Sequence, residues 1–248
     1  MSGHNKWSTI KRKKGAADAK RSKVFSKIIK EITVAVKDSG PDPEANPRLR
    51  LAISNAKGAS MPKDNIERAI SKGKEKDAAA FSEQTFEGYL PNGIAVYVEC
   101  TTDNQQRTVA SVRSIFNKFG GNLGTSGSLS FLFDRKGIFN IPRNDDMDMD
   151  TFELEVIDAG AEDIVEEEGM ITMTTSMEDF GRMQKKLEEI NIDVENAELQ
   201  RIPHETIKLD LESAKKILRV IDAFEDDDDV QNVFHNMEIT EELMEEME

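Results

Sequence analysis

The hydrophobic residues change their spacing near residue 80, and this change most limits the folds that the chain can adopt. Before it, apolar residues recur at helical spacing, as do Phe25, Ile28, Ile29, Ile32 and Val36. After it, short apolar segments typical of strands are interspersed with helical ones. The 248 residues therefore predict an α+β protein with a helical N-terminal domain, followed by sheets that carry helices on one face.

Three helices are predicted before the change in spacing. The first covers residues 20–37 and ends at Gly40-Pro41-Asp42-Pro43, because two prolines and a glycine cannot extend a helix. Asn46 is suited to the N-cap of the second helix, with Pro47 at its first position. The third starts at Pro62, and Gly73 is placed to close it.

Residues 74–80 have the composition of a linker, and strand signals begin after it. Pro91-Asn92-Gly93 predicts a hairpin turn between strands over 85–90 and 94–100. The other predicted strands are 129–133, 137–141, a pair within 163–175, 198–209 and 230–237, and the helices are 106–119, 149–159, 178–190 and 211–224.

The net charge of −15 conceals an uneven distribution. Residues 1–76 carry 19 Lys and Arg against 8 Asp and Glu, a charge of +11, whereas residues 77–248 carry 14 against 40, a charge of −26. The total indicates a protein that polyanions avoid, yet the N-terminal segment alone indicates one that binds them.

No catalytic or metal site is predicted, and no cofactor. His204-Glu205 resembles the start of a zinc-protease motif, but Lys208 stands where the second ligand would be. The lone Cys100 cannot form an internal disulfide and fits a buried strand end. The five-carboxylate run Glu225–Asp229 is expected to be a solvated turn, with a weak cation site as the alternative. Gly121-Asn122-Leu123-Gly124 matches the GxxG of RNA-binding KH domains, but a helix end and turn is favoured.

The N-terminal segment is the predicted nucleic-acid interface. Its lysines on the first helix lie opposite the apolar face, and their number indicates phosphate neutralisation rather than a merely solvated surface. Trp7 is expected either to stack on a base or to anchor the basic arm, and both interpretations stay open. The predicted contacts are Lys6, Trp7, Lys11, Arg12, Lys13, Lys14, Lys20, Arg21, Lys23, Lys27, Lys30, Arg48, Arg50, Lys57 and Lys63.

Several motifs closely resemble the YebC/PmpR family, in order along essentially the whole chain. They are Gly3-His4-Asn5-Lys6-Trp7-Ser8-Thr9-Ile10-Lys11, Asp18-Ala19-Lys20-Arg21, Asn46-Pro47-Arg48-Leu49-Arg50, Met61-Pro62-Lys63-Asp64-Asn65-Ile66-Glu67-Arg68-Ala69-Ile70, Glu87-Gly88-Tyr89, Glu99-Cys100-Thr101-Thr102-Asp103-Asn104, Gly120-Gly121-Asn122-Leu123-Gly124 and Asp228-Asp229-Val230-Gln231-Asn232-Val233. The resemblance implies a helical domain over 1–76, a ferredoxin-like α+β domain over 81–134 plus 204–248, and a second one inserted over 135–203. It also implies a cytoplasmic transcriptional regulator that binds promoter DNA and has no established catalytic residues.

Three functions are consistent with these features. The leading one is a DNA-binding transcriptional regulator that contacts phosphates through the basic helical segment. The alternative is a translation factor that binds rRNA or the ribosome and helps synthesis of proline-rich sequences. The resemblance implies this role, since the family includes mitochondrial translational activators and bacterial members linked to translation of proline-rich stretches on the ribosome. The third is a protein-interaction module whose acidic body recruits a basic partner. No membrane, small-molecule substrate or enzyme activity is expected, and the oligomeric state stays open.

Overall fold

The structure, a computed structural model, describes residues 18–75, 81–144, 147–167 and 169–246, with residues 18–20 described by their backbone alone. Its helices are α1 (Asp18–Ser39), α2 (Pro47–Gly58), α3 (Lys63–Lys74), α4 (Gln105–Lys118), α5 (Met149–Asp158), α6 (Phe180–Glu189), α7 (Leu211–Glu225) and α8 (Glu241–Glu245). Its strands are β1 (Ser82–Tyr89), β2 (Ala95–Thr102), β3 (Asn122–Leu123), β4 (Phe133–Pro142), β5 (Ala161–Glu167), β6 (Met170–Ser176), β7 (Asn196–Pro203) and β8 (Val230–His235). The predicted α+β class is confirmed.

The buried side chain of Asn46 joins the end of α1 to the start of α2. Its Oδ1 atom accepts a hydrogen bond from the Leu49 amide at 3.0 Å, which caps α2 as predicted. Its Nδ2 atom donates to the carbonyl oxygens of Ala35 at 2.7 Å and Gly40 at 2.8 Å. Gly40 has a φ of 89°, the left-handed conformation that ends a helix at little cost in a glycine. The connection between the two helices is therefore fixed at both ends.

Gly73 has a different role from the one predicted. It lies within α3 and does not cap the helix, whose C-cap is Glu75. A Cβ atom at Gly73 would stand 2.7 Å from the Cβ atom of Val36, so the glycine allows α3 to pack closely against α1. The apolar faces of the three helices form one cluster around Ile32, Leu49 and other buried side chains, including Ala35, Val36, Ala52, Ala56, Met61, Ile66 and Ala69.

The described residues fall into two compact units, and their bounds do not follow the helix and strand ends. The first unit contains Met1–Lys23, Ala79–Asp134 and Arg201–Glu248, as far as these ranges are described. The second contains Val24–Ala78 and Arg135–Gln200, with the same restriction. Most of the helical segment thus shares a unit with the second sheet.

The first unit is built on a sheet with the strand order β3-β1-β2-β8. Alternate residues of β2 face opposite sides: Val96 and Val98 pack beneath α4 and α7, whereas Ala95 and Tyr97 pack against the 129–133 segment. Cys100 lies on the helix-covered side, is 2% exposed and forms no disulfide. The predicted burial of this thiol is confirmed.

The strand predicted over 129–133 is wrong, because residues 128–132 form turns and β4 begins at Phe133. The cause is a buried carboxylate that is distant in sequence. Glu87 accepts hydrogen bonds from the amides of Gly127 at 2.7 Å and Leu129 at 2.6 Å. These bonds bend the segment across the sheet. The strand predicted over 198–209 also ends earlier, at Pro203, and Ile207 forms only an isolated parallel bridge.

The second unit holds a sheet with the order β5-β6-β4-β7, in which β4 and β5 both pair with β6 in antiparallel fashion. Phe139 and Met173 of this sheet pack against α5 and α6, whose buried residues include Phe152 and Leu187. Helix α2 approaches the same sheet along β7. Here the side chain of Asn55 and the backbone of Ala197 form two reciprocal hydrogen bonds, each 2.8 Å long.

The approach of α2 to the sheet depends on Gly58. A Cβ atom at this position would overlap the backbone carbonyl of Glu195. We expect Gly58→Ala to lower the free energy of unfolding by about 1–3 kcal/mol, the usual cost of overpacking. Chemical denaturation followed by circular dichroism measures this change.

Gly181→Ala is the matched control, because the position is helical and exposed and nothing lies within 4 Å of the added Cβ atom. It should raise stability by about 0.5–1 kcal/mol, the gain expected for alanine in a helix. If the two substitutions change the free energy of unfolding equally, the close contact between α2 and β7 does not require a glycine at position 58.

Candidate nucleic-acid interface

The N-terminal arm of the predicted interface lies outside the described residues, as does the side chain of Lys20. The arm residues are Lys6, Trp7, Lys11, Arg12, Lys13 and Lys14, whose roles stay predictions. Within the described part, the predicted side chains are Arg21, Lys23, Lys27, Lys30, Arg48, Arg50, Lys57 and Lys63.

Helix α1 carries Lys23, Lys27 and Lys30 on one face, because their spacing of four and then three residues follows the helical repeat. Along the helix axis they span about 10 Å, at about 1.5 Å per residue. Lys27 and Lys30 are partly exposed, and Lys23 is exposed. Such a row of ammonium groups can lie along a phosphate backbone.

Lys23 already has a carboxylate partner in the first unit. Its Nζ atom lies 2.6 Å from the Oδ1 atom of Asp226, within the acidic run predicted from the sequence. The two side chains are 44% and 73% exposed, so solvent screens the pair and it contributes at most about 1 kcal/mol. A phosphate can therefore replace Asp226 at small cost.

Arg48 and Arg50 are engaged within the protein. Arg48 donates to both carboxylate oxygens of Glu31, at 2.7 and 3.2 Å, and to Asp38 at 3.0 Å, and so ties α2 to α1. Arg50 donates to the carbonyl of Pro43 at 3.3 Å, and its Nε atom lies 3.7 Å from Glu188. Their contact with nucleic acid stays a prediction, but their structural role is visible.

Only one cation of α3, Lys63, is among the predicted contacts, whereas the structure exposes four. Lys63 and Lys74 lie near one edge of the exposed surface of α3, and Arg68 and Lys72, four residues apart, lie on another. The sequence already indicates that Arg68 and Lys72 are exposed, because at helical spacing they lie on a different side of α3 from its apolar residues. Lys57, at the end of α2, is also exposed.

The acidic run at the end of α7 is not simply a solvated turn. Asp229 is 4% exposed and accepts hydrogen bonds from Thr102 at 3.2 Å, Thr108 at 2.9 Å and Arg107 at 2.8 Å. The bonds to Asp229 and to Asp103 raise the pKa of Arg107 above its ordinary value. This network fixes the start of α4 to the start of β8, so Asp229 has a structural role. Among the described residues, no group of three or more His, Cys, Asp and Glu side chains is placed to hold a metal ion.

The GxxG match follows the end of α4, as favoured from the sequence, but its two middle residues form β3 rather than a turn. Gly120 has a φ of 73° and follows the C-cap of α4. Gly121 and Gly124 lie close to the β1 backbone, where a Cβ atom would stand 2.8 Å from the Tyr89 carbonyl and 3.2 Å from that of Glu87, respectively. These glycines allow β3 to pair with β1, which explains their spacing without a ligand.

Comparison with known proteins identifies the family. The family model described as "TACO1/YebC protein N-terminal domain" matches residues 5–76, and that of "TACO1/YebC second and third domain" matches residues 81–237. The chain belongs to the TACO1/YebC family. The resemblance seen in the sequence is thereby confirmed.

Relatives within the TACO1/YebC family cover the whole chain. A protein of Geotalea uraniireducens is 54% identical over 248 residues, which are 100% of both chains. One from Amoebophilus asiaticus is 53% identical over 239 residues, or 96% of this chain and 98% of its own. Both are named "Probable transcriptional regulatory protein". The crystal structure of a conserved hypothetical protein from Aquifex aeolicus has a TM-score of 0.80 and 45% identity, and the match covers 90% of this chain and 93% of that one.

A substitution of Arg48 tests whether this residue stabilises the fold or contacts nucleic acid. We expect Arg48→Gln to lower the free energy of unfolding by about 1 kcal/mol, because Glu31 and Asp38 lose their partner. We also expect the slope of log binding constant against log salt concentration to stay unchanged for duplex DNA, as measured by fluorescence anisotropy. Lys63→Gln, at a site 86% exposed, is the stability control. A slope altered at unchanged stability would instead place Arg48 in the nucleic-acid interface.

Proposed function

We propose that the protein is a regulator of gene expression that binds DNA through the cations of α1 and α3. The observation that carries this proposal is the group of lysines on one face of α1, in a segment of charge +11. The names of the relatives, which describe transcriptional regulation and no enzyme activity, support the regulatory part. A catalytic role is not proposed.

The contacts proposed are with phosphates rather than with base edges. Helix-turn-helix proteins insert a recognition helix into the major groove after a tight turn of three or four residues. Here seven residues, 40–46, connect α1 to α2, and the arginines at the start of α2 bind carboxylates of the protein. Phosphate contacts orient a protein on nucleic acid without reading its sequence.

The long α1–α2 connection, and the engagement of the α2 arginines within the protein, favour a second candidate, an RNA- or ribosome-binding factor that acts in translation. The same lysines fit rRNA phosphates, and a role on the ribosome requires no promoter sequence to be recognised. Promoter DNA and rRNA are thus the two proposed partners. Among the described residues no helix is both long and apolar enough to cross a bilayer. The cytoplasmic location stays a prediction.

The salt dependence of binding tests the role of the α1 face. We expect the double variant Lys27→Gln/Lys30→Gln of the full-length chain to bind duplex DNA more weakly and with a smaller salt slope. The slope should fall by about 0.9 for each phosphate that the variant no longer neutralises, or about 0.7 on single-stranded nucleic acid.

Lys185→Gln/Lys216→Gln removes the same charge from exposed positions on α6 and α7 and serves as the matched control. The two double variants should have similar melting temperatures. If both pairs change the slope equally, binding depends on net charge and not on the α1 face, and the proposed interface is wrong.

Crosslinking in cells, with sequencing of bound DNA and of bound RNA, separates the two candidates. The transcriptional proposal expects DNA peaks at promoters that disappear in the Lys27→Gln/Lys30→Gln variant. The translational one expects rRNA fragments with the same dependence. Enrichment of rRNA without promoter peaks would contradict the leading proposal.

A further inference from the structure

Strand β1 has an open edge along most of its length. β2 pairs with all eight residues, Ser82–Tyr89, whereas β3 pairs only with Gly88 and Tyr89 on the other side. Among the described residues, no strand lies beside the rest of that side. The Glu87 carbonyl accepts from Gly124 on this side, at 2.7 Å. Because backbone groups alternate between the two sides of a strand, the N–H and C=O groups of Thr85 point to the open side.

Helix α4 forms one wall of a groove at this edge. On one side of the helix, Arg107 and Ser111 contact Asp229 and Asp227, next to β8. The opposite side of α4 therefore faces the open edge of β1. Residues on that side and the strand line an open groove of about 410 Å³. The residues that line it are Gln84, Gln105, Gln106, Val109, Ala110 and Arg113.

The groove combines polar amides, two small apolar side chains and a single charge. The Oε1 atom of Gln84 is buried and has no hydrogen-bond partner among the described residues. Such an acceptor is normally satisfied, so it fits an incoming N–H donor. Arg113 is exposed, and no described carboxylate lies within ion-pair distance of it. The groove lining contains no carboxylate, although the surrounding body is strongly acidic.

We propose that this groove binds an extended segment of a partner protein, which adds to β1 as a fifth strand of the sheet. The segment would pair with the backbone of Thr85, donate to Gln84 and place one Asp or Glu side chain against Arg113. Strand addition at an exposed edge beside a helix is a known mode of peptide recognition. The partner segment carries few carboxylates besides this one, because the acidic body repels an acidic run.

Nucleic acid fits the groove less well than a peptide. A sheet edge offers alternating backbone donors and acceptors, which another polypeptide backbone complements and a phosphate chain does not. One arginine cannot follow several phosphates. The groove also shares no residue with the α1 and α3 cations, so this proposal does not depend on the proposed nucleic-acid binding.

The probe is a blocked eight-residue peptide of alternating threonine and valine with one central glutamate. Titration into the isotope-labelled full-length protein should shift the amide signals of Thr85 and Gln106, and calorimetry gives the affinity. N-methylation of alternate peptide amides should weaken binding about tenfold or more, since it removes the ladder hydrogen bonds. Replacement of the glutamate by lysine should weaken it by a similar factor.

Two variants test the groove from the protein side. Arg113→Glu should weaken binding of the glutamate peptide about tenfold and favour the lysine peptide. Thr85→Pro removes one outward N–H group and should also weaken binding, since proline is tolerated at a free strand edge. Arg219→Glu, an exposed charge reversal on α7, should change nothing. Melting temperatures report whether each variant is folded. If Thr85→Pro unfolds, Arg113→Glu still tests the groove, because Arg113 is exposed and its replacement should leave the fold intact.

Three results would overturn the proposal. They are no binding at millimolar peptide, equal binding of the N-methylated peptide, and amide shifts confined to residues outside the groove. A single-stranded RNA oligonucleotide that shifts the same amides and displaces the peptide would also overturn it, in favour of a nucleic-acid site.

Discussion

The contact of α2 with β7 is the interaction on which the second unit depends. Two hydrogen bonds between Asn55 and the Ala197 backbone hold the helix, and the missing side chain of Gly58 lets it lie against the Glu195 carbonyl. A helix that packs on a strand backbone in this way has little freedom to rotate. The cations of the helical segment are therefore held on a fixed surface. The nucleic-acid partner proposed for this surface would meet a preorganised row of charges, which lowers the entropic cost of association.

Much of the fold could be predicted from local patterns. Helical spacing and turn residues identify α1, α2 and the β1–β2 hairpin, because Asn46, Gly40 and Pro91-Asn92-Gly93 act on their immediate neighbours. The errors arise where distant residues decide. Glu87 bends the 128–132 segment into turns from 40 residues away along the chain, and no periodicity within that segment reveals it. Gly73 is likewise predicted to end a helix, whereas its actual role depends on Val36, which is distant in sequence and packs beside it.

The candidate interface shows the same division between local and distant information. The charge of the N-terminal segment is a property of its sequence, and the lysine face of α1 follows from helical spacing alone. Packing decides whether a cationic side chain of this segment is exposed to a ligand or engaged within the protein. Arg48 is tied to Glu31 because α2 crosses α1 at that point, whereas Arg68 and Lys72 stay on the exposed side of α3. The charge of the segment therefore identifies it as a candidate interface, and only the helix arrangement distinguishes its exposed cations from those engaged within the protein.

The buried position of Cys100 has a consequence for association between copies of the chain. It is the one cysteine in the sequence, and it lies on β2 beneath the helices of the first unit with 2% of its surface exposed. The folded protein consequently presents no thiol to oxidants, to alkylating agents or to a second molecule. Two copies cannot become covalently joined through a disulfide unless the sheet first opens, so an assembly of folded copies does not rest on an intermolecular disulfide.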